Sequence, residues 1–262
     1  MLLVKGLMLS EMSTRDKLRL EDLDFMFLRP GRVGGSVVEN FLRSYFGDGY
    51  LDISRSFPSA SYIHPEVFDE HMDWILRVSP RRIRALTMNY VAPTSWLCDS
   101  PSIPCVLTLL RDPVERICSE FYEFRQSVDG LLAYSLNETR QCSDDILAFS
   151  REFGRNNSYT RFFSRVGSSQ NLTKSDLKTA IRELKSLHFI GFYDALGETH
   201  TFLSEACETV ESKVSIAAHD VDNFTIPGES IGAKCAKTLG EVDELLREQN
   251  AYDYELMQII RG

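Results

Sequence analysis

The sequence predicts an α/β protein, a single domain with a central, mainly parallel sheet flanked by helices. Three observations carry this reading. Short apolar runs alternate with segments of helical periodicity, as in a parallel sheet covered on both faces. Two of those runs end in loops that open directly into helices. The length, 262 residues, suits one large domain and is short for two. No internal repeat, low-complexity tract or Pro/Gly linker divides the chain.

Taken in order, Asp22–Leu28 (DLDFMFL) is an apolar run suited to a buried parallel strand. Arg29–Gly35 (RPGRVGG) is a Gly/Pro loop. Ser36–Phe46 carries Val37, Val38, Phe41, Leu42 and Tyr45 at helical spacing. Ser36 is the expected N-cap, with Glu39 completing a capping box. Pro65–Val78 reads as an amphipathic helix with Pro in its first turn. Ile83–Asn89 and Val106–Leu110 read as strands. Pro113–Arg125 reads as a helix capped by Asp112. Helical patterns follow at Ser143–Glu152, Tyr159–Arg165 and Lys174–Ser186. Phe189–Phe192 is a last short strand, and Leu196–Val210 and Ile231–Gln249 close the helical set.

Composition narrows the function classes. The chain is 43% hydrophobic and 26% charged, as an ordinary soluble globular protein is. A net charge of −9 argues against broad nucleic-acid binding, but local basic patches can still take an anion. No run of about 18 apolar residues is present, so no membrane span is expected. The apolar start, Met1–Leu9, is interrupted by Lys5 and reads as the edge of a truncated anchor or as an initial strand, the strand being the favoured reading. The six cysteines include no CxxC pair and no Cys/His set at metal spacing, which argues against zinc. Four N-x-[ST] sequons, at Asn137, Asn156, Asn171 and Asn223, tilt the expected location towards a secretory lumen.

Two constellations carry chemistry. The first is strand, glycine loop and helix: DFMFLRPGRVGGSVVENFL. Glycines let backbone N–H groups approach a phosphate, and the helix start adds free N–H groups and a positive dipole end. Arg32 adds a full charge. The loop lacks the GxxxxGK[ST] pattern, which argues against an ordinary nucleotide kinase. The second is LLRDPVERICSEFY. A strand delivers Arg111 at its carboxyl end, where ligands bind in open α/β sheets. Asp112 and Pro113 then start a helix on which Arg116 and Ser119 share a face. Arg111 and Ser119 can supply a charged fork and a hydroxyl to a second phosphate. The alternative is that Arg111 and Arg116 form helix-end ion pairs with Asp112, Glu115 or Glu120.

Together the two constellations resemble the sulfotransferases that use 3′-phosphoadenosine-5′-phosphosulfate (PAPS). The resemblance is to the carbohydrate O-sulfotransferases of the heparan sulfate 2-O- and galactose 3-O-sulfotransferase branch. It is most specific at Leu110–Tyr122. Weaker echoes are Asn156–Phe162, Phe189–Phe192 and Asn250–Leu256. The resemblance implies a P-loop-like sheet. It implies that Arg32, Val33, Gly34, Gly35, Ser36 and Val37 hold the 5′-phosphosulfate, and that Arg111 and Ser119 hold the 3′-phosphate. The implied reaction passes a sulfuryl group to a hydroxyl of a carbohydrate or glycoconjugate in the Golgi lumen, releasing adenosine 3′,5′-bisphosphate.

Two departures bear on turnover. Arg32 stands where that family carries Lys, and Arg cannot readily give up a proton. Asn89, or Met88, stands where the family's base, a His, is expected, and neither an amide nor a thioether can accept a proton at neutral pH. His64 and His71, near Glu66, Asp69 and Glu70, are the candidate replacement bases. Two further expectations therefore stand beside transfer to carbohydrate: a nucleotide-binding member that has lost turnover, and a cytosolic enzyme with a small-molecule acceptor. Two spaced sets of arginines, Arg77, Arg81, Arg82 and Arg84, and Arg151, Arg155, Arg161 and Arg165, could steer an anionic polysaccharide. The bland reading of both is an ordinary solvated surface.

Overall fold

A computed structural model describes residues 23–53, 83–88, 105–126, 142–152, 155–167, 170–211 and 230–262. The expected helix Pro65–Val78 lies outside the described residues. Five strands, β1 (Phe25–Leu28), β2 (Tyr50–Asp52), β3 (Ala85–Met88), β4 (Cys105–Leu110) and β5 (Phe189–Phe192), form one sheet in the order β2-β3-β1-β4-β5. Every pairing is parallel. Strands β1 and β3 are buried along their whole length, as apolar runs covered on both faces should be.

The helices are α1 (Ser36–Phe46), α2 (Pro113–Gln126), α3 (Cys142–Glu152), α4 (Ser158–Ser164), α5 (Lys174–Lys185), α6 (Leu196–Glu211), α7 (Ile231–Ala236), α8 (Glu241–Gln249) and α9 (Ala251–Arg261). Helix α1 buries Val37, Val38, Phe41, Leu42 and Tyr45, the five positions its periodicity marks out. They join the strands in the main core. A second apolar cluster, Val114, Ile117, Cys118, Phe121, Ile146, Phe149 and Leu246, ties α2 to α3 and α8. Among the described residues, no helix is long and apolar enough to cross a membrane.

Three expectations change. Ser36 is not the N-cap of α1: Gly35 is, no side chain caps that end, and Glu39 turns instead to Arg29, Oε1 to Nη1 at 2.5 Å. An ion pair with a neighbouring arginine outcompetes the capping box. Residues 231–249 are two helices, because Gly240 breaks them at φ 55. Strand β2 and helix α9 are additions: β2 is too short for its period to show, and α9 follows α8 after the single residue Asn250.

The sheet order creates a switch point. From β1 the chain runs through α1 to β2, at one edge. From β3 it crosses β1 to β4 and then to β5, at the other edge. The loops after β1 and β4 thus diverge from neighbouring strands, the arrangement that leaves a crevice at the carboxyl ends of an open α/β sheet. The two constellations are these two loops.

Candidate anion-binding site

The first wall is the loop 29–35. Its backbone carries positive φ at Arg32 (62°) and Gly34 (80°), and Gly35 follows in the right-handed region at φ −59°. Such alternation turns successive N–H groups into one concavity, an anion nest. Among the described residues, the N–H groups of Val33, Gly34, Gly35 and Ser36 meet no acceptor. They sit at the positive end of an eleven-residue helix. The N–H of Val37 is different: it bonds back to the Gly34 carbonyl at 3.3 Å, and the Val37 side chain is buried. Arg32 leans away from the nest towards α2, where Nη1 pairs with Glu123 Oε2 at 2.8 Å.

The second wall is Arg111. Strand β4 runs two residues past β1, and its last residue, Leu110, pairs with Phe192, the last residue of β5. The next residue on each strand is Arg111 and Tyr193, so register alone sets them side by side. The guanidinium of Arg111 lies over the Tyr193 ring, 4.4 Å from its centre. A cation on an aromatic face in a desolvated place is worth about 2 kcal/mol. Arg111 is 4% exposed. Its Nε and Nη2 donate to Glu115 Oε2 at 3.2 and 3.1 Å, and Nη2 also donates to Ser230. Among the described residues, its Nη1 donates to nothing.

Tyr193 joins the two walls. A Cβ added to Gly34 would fall 2.3 Å from the ring carbon Cε2 of Tyr193. One ring therefore has the glycine nest against it and the Arg111 cation over it. Neither Tyr193 nor Ser230 is among the residues expected from sequence. Tyr193 had a signal, since it follows a strand directly. Ser230 had none, since it reaches Arg111 only through the packing of α7 on α2.

Arg111 is held from below by a buried network. The Tyr159 hydroxyl accepts from the Arg111 N–H at 3.0 Å and donates to the Arg111 carbonyl at 2.8 Å. Burial pushes the Tyr159 phenol well above its ordinary range, so it stays protonated and able to donate. Tyr159 lies in the first turn of α4, where its N–H and that of Thr160 donate to the fully buried Asp253 carboxylate at 3.0 and 2.8 Å. The Thr160 hydroxyl adds a third bond at 2.9 Å. Asn157 and Asn250 cross-link the same junction, Asn157 N–H to Asn250 Oδ1 at 2.8 Å and Asp253 N–H to Asn157 Oδ1 at 3.1 Å. Burial raises the Asp253 carboxyl, while the bonds from Thr160 and Tyr159 and the charge of Arg116 pull it back down. Two of the sequence echoes, Asn156–Phe162 and Asn250–Leu256, are thus one structural unit.

The ion pairs named as the alternative do form. Arg111 pairs with Glu115, and Arg116 with Glu120 at 2.8 Å. Arg116 is buried, which lowers its pKa, and its guanidinium lies by the Tyr159 ring rather than in the crevice. Asp112 caps α2 as expected, accepting from Val114 and Glu115 N–H at 3.0 Å each. Ser119 is half-buried and, among the described residues, makes no hydrogen bond with Arg111; it shares a face of α2 with Glu123.

Other candidates fall elsewhere. His64, His71 and Asn89 lie outside the described residues, as do Arg77, Arg81 and Arg82. Arg84 pairs with Asp24 at 2.6 Å. In the second arginine set, Arg155 pairs with Glu120, Arg161 donates to the carbonyls of Gly167 and Gln170, and Arg165 faces Glu183 at 3.8 Å. Those three arginines serve the chain itself. Of the sequons, Asn171 is exposed and Asn156 half-buried, while Asn137 and Asn223 lie outside the described residues. Among the described residues, no group of His, Cys, Asp or Glu is placed to hold a metal ion. No family model and no curated protein matches this chain.

Proposed function

We propose that the crevice binds a nucleotide with two separated anionic groups, PAPS, and that the chain passes its sulfuryl group to a hydroxyl, on a carbohydrate or glycoconjugate. The observation that carries this is the convergence of two independent anion sites on one ring. The nest at Gly34 touches Tyr193, and Arg111 lies over the same ring. A cofactor with a 5′-phosphosulfate and a 3′-phosphate needs two such sites at neighbouring strand ends.

The donors fit that chemistry. The N–H groups of Val33, Gly34, Gly35 and Ser36 would hold the 5′-phosphate and stabilise charge on the oxygen that leaves sulfur. Arg111, through Nη1, would hold the 3′-phosphate. Ser119 shares a face of α2 with Glu123, the partner of Arg32, and would add a hydroxyl. PAPS would supply a sulfuryl group that the acceptor oxygen takes up as the bond between sulfur and the 5′-phosphate oxygen breaks. The hydroxyl proton would go to a base outside the described residues.

Calorimetric titration with adenosine 3′,5′-bisphosphate, with ATP and 5′-AMP as controls, tests the reading. Micromolar binding that Arg111→Ala abolishes, in a sample whose circular dichroism is unchanged, is the expected outcome. A folded chain that ignores the bisphosphate would sink it.

A second reading is favoured by one contact. Arg32, the only cation in the loop tip, is engaged with Glu123 at 2.8 Å. A loop whose charge is held away from the nest suits a protein that binds the nucleotide without turnover. Release of labelled sulfate onto an acceptor by Arg32→Lys, but not by the natural chain, would favour that reading over transfer.

A further inference from the structure

Helix α7 lies along α2 with backbone touching backbone. A Cβ added to Gly232 would fall 2.3 Å from the Glu115 carbonyl oxygen and 2.7 Å from Arg111 Nη2. Only a glycine allows that approach. Both helices then advance together. Three residues beyond Gly232 stands Cys235, and three residues beyond Glu115 stands Cys118, so each cysteine shares a helix face with its contact residue one turn earlier. Helices in contact at Gly232 and Glu115 bring these two thiols together, and the Cys118 side chain is hydrogen-bonded to Cys235. Both sulfurs belong to the second apolar cluster. Cys118 is buried and Cys235 is half-buried, and no disulfide joins them in this structure.

We propose that Cys118 and Cys235 are a disulfide-forming pair, and that their bond clamps α7, with Ser230 at its start, against Arg111. The thiols differ in access, which sets the order of events. The hydrogen bond to Cys235, and then burial, push the Cys118 thiol above its ordinary range. Cys235 is reached first. Its thiolate attacks a small-molecule disulfide such as glutathione disulfide, forming a mixed disulfide and releasing one glutathione thiol. With Cys235 in the mixed disulfide, Cys118 loses the hydrogen bond that held its proton; it gives up that proton, its thiolate attacks Cys235 Sγ, and the second glutathione leaves as a thiolate that takes a proton up. The two thiol protons end on the two glutathione thiols, the protein dithiol is oxidised and one glutathione disulfide is reduced.

The consequence is local and global. Ser230 caps α7, accepting the Ala233 N–H at 3.1 Å, and it also accepts from Arg111. A covalent link one turn further on fixes that cap over the arginine. It also closes a long loop in the unfolded chain, which stabilises the fold. The inference does not need the nucleotide reading, since the bond follows from the packing of α7 on α2.

The test uses the full chain, equilibrated with glutathione disulfide or with reduced glutathione, alkylated, digested and mapped by mass spectrometry. The expected result under oxidation is one cross-linked peptide pair joining Cys118 to Cys235, with the mass of two hydrogen atoms lost. The melting temperature should rise by roughly 5 °C or more over the reduced chain. Cys235→Ser, at a half-buried position, should abolish both changes. Recovery of Cys118 and Cys235 separately alkylated after oxidation, or of either one bridged to another cysteine, overturns the proposal. The map is read on the natural sequence, so misfolding of a variant cannot obscure it, and it is read without nucleotide.

Discussion

The two walls of the crevice are built in opposite ways. The nest at 33–36 is made of backbone from consecutive residues and lies at the surface end of a helix. Arg111 is one buried side chain whose placement draws on Tyr159, Asp253, Tyr193, Glu115 and Ser230. The first wall is local and depends on what the chain does over a few residues. The second is the end of a relay that begins in the last helix. Perturbing the relay should therefore cost stability first and binding as a result. Perturbing the nest should cost binding out of proportion to stability.

The sharpest way to break that comparison is Asp253→Ala. It leaves the N–H groups of Tyr159 and Thr160 and the Thr160 hydroxyl without an acceptor in the core. At about 1–3 kcal/mol for each unpaired group, a loss of about 4 kcal/mol follows, or roughly 10 °C in melting temperature. Thermal unfolding checks it. A loss below about 1 kcal/mol would mean that Asp253 is not the anchor of the relay.

Next in size is Gly34→Ala. The positive φ at Gly34 costs a side chain about 1–2 kcal/mol, and the new methyl would run into the Tyr193 ring. A total of about 2–3 kcal/mol is expected, with bisphosphate binding lost altogether. The double variant with Tyr193→Ala should recover part of the stability but none of the binding, because Arg111 then loses the ring beneath it. Smaller again is Tyr159→Phe. It removes two hydrogen bonds to the Arg111 backbone and nothing else, for about 1–2 kcal/mol by denaturant unfolding. Its binding loss should be partial, since Glu115 and Ser230 still hold the guanidinium.

The same contrast explains what could be read from the sequence. The nest was legible because its glycines, its strand and its helix are contiguous, and the five buried apolar positions of α1 follow from period alone. Arg111 was legible as a strand-end arginine. Its environment was not, because Tyr159, Asp253 and Ser230 lie far away in sequence and meet it only through packing. Local rules also failed where a distant or charged partner outcompeted them. Glu39 chose Arg29 over the Ser36 cap, and the periodicity of 231–249 hid the break that Gly240 makes. Tyr193 lay between these cases: a residue just past a strand, whose neighbour only the register of β5 on β4 could name.

The smallest effect on stability tests the loop itself. Arg32 and Glu123 are both partly exposed, and their pair joins the loop of the nest to α2. Exposed pairs contribute little, so Glu123→Gln should change unfolding free energy by no more than about 0.5 kcal/mol. Its effect on binding should be larger than that. Freed from Glu123, the arginine can turn to an anion in the nest, and the carboxylate that repels that anion is gone. Titration should show bisphosphate affinity raised by roughly threefold or more at low salt, with the gain shrinking as salt screens the charges. An unchanged affinity would mean that Arg32 belongs to the surface of α2 and not to the nest, leaving the first wall to backbone N–H groups alone.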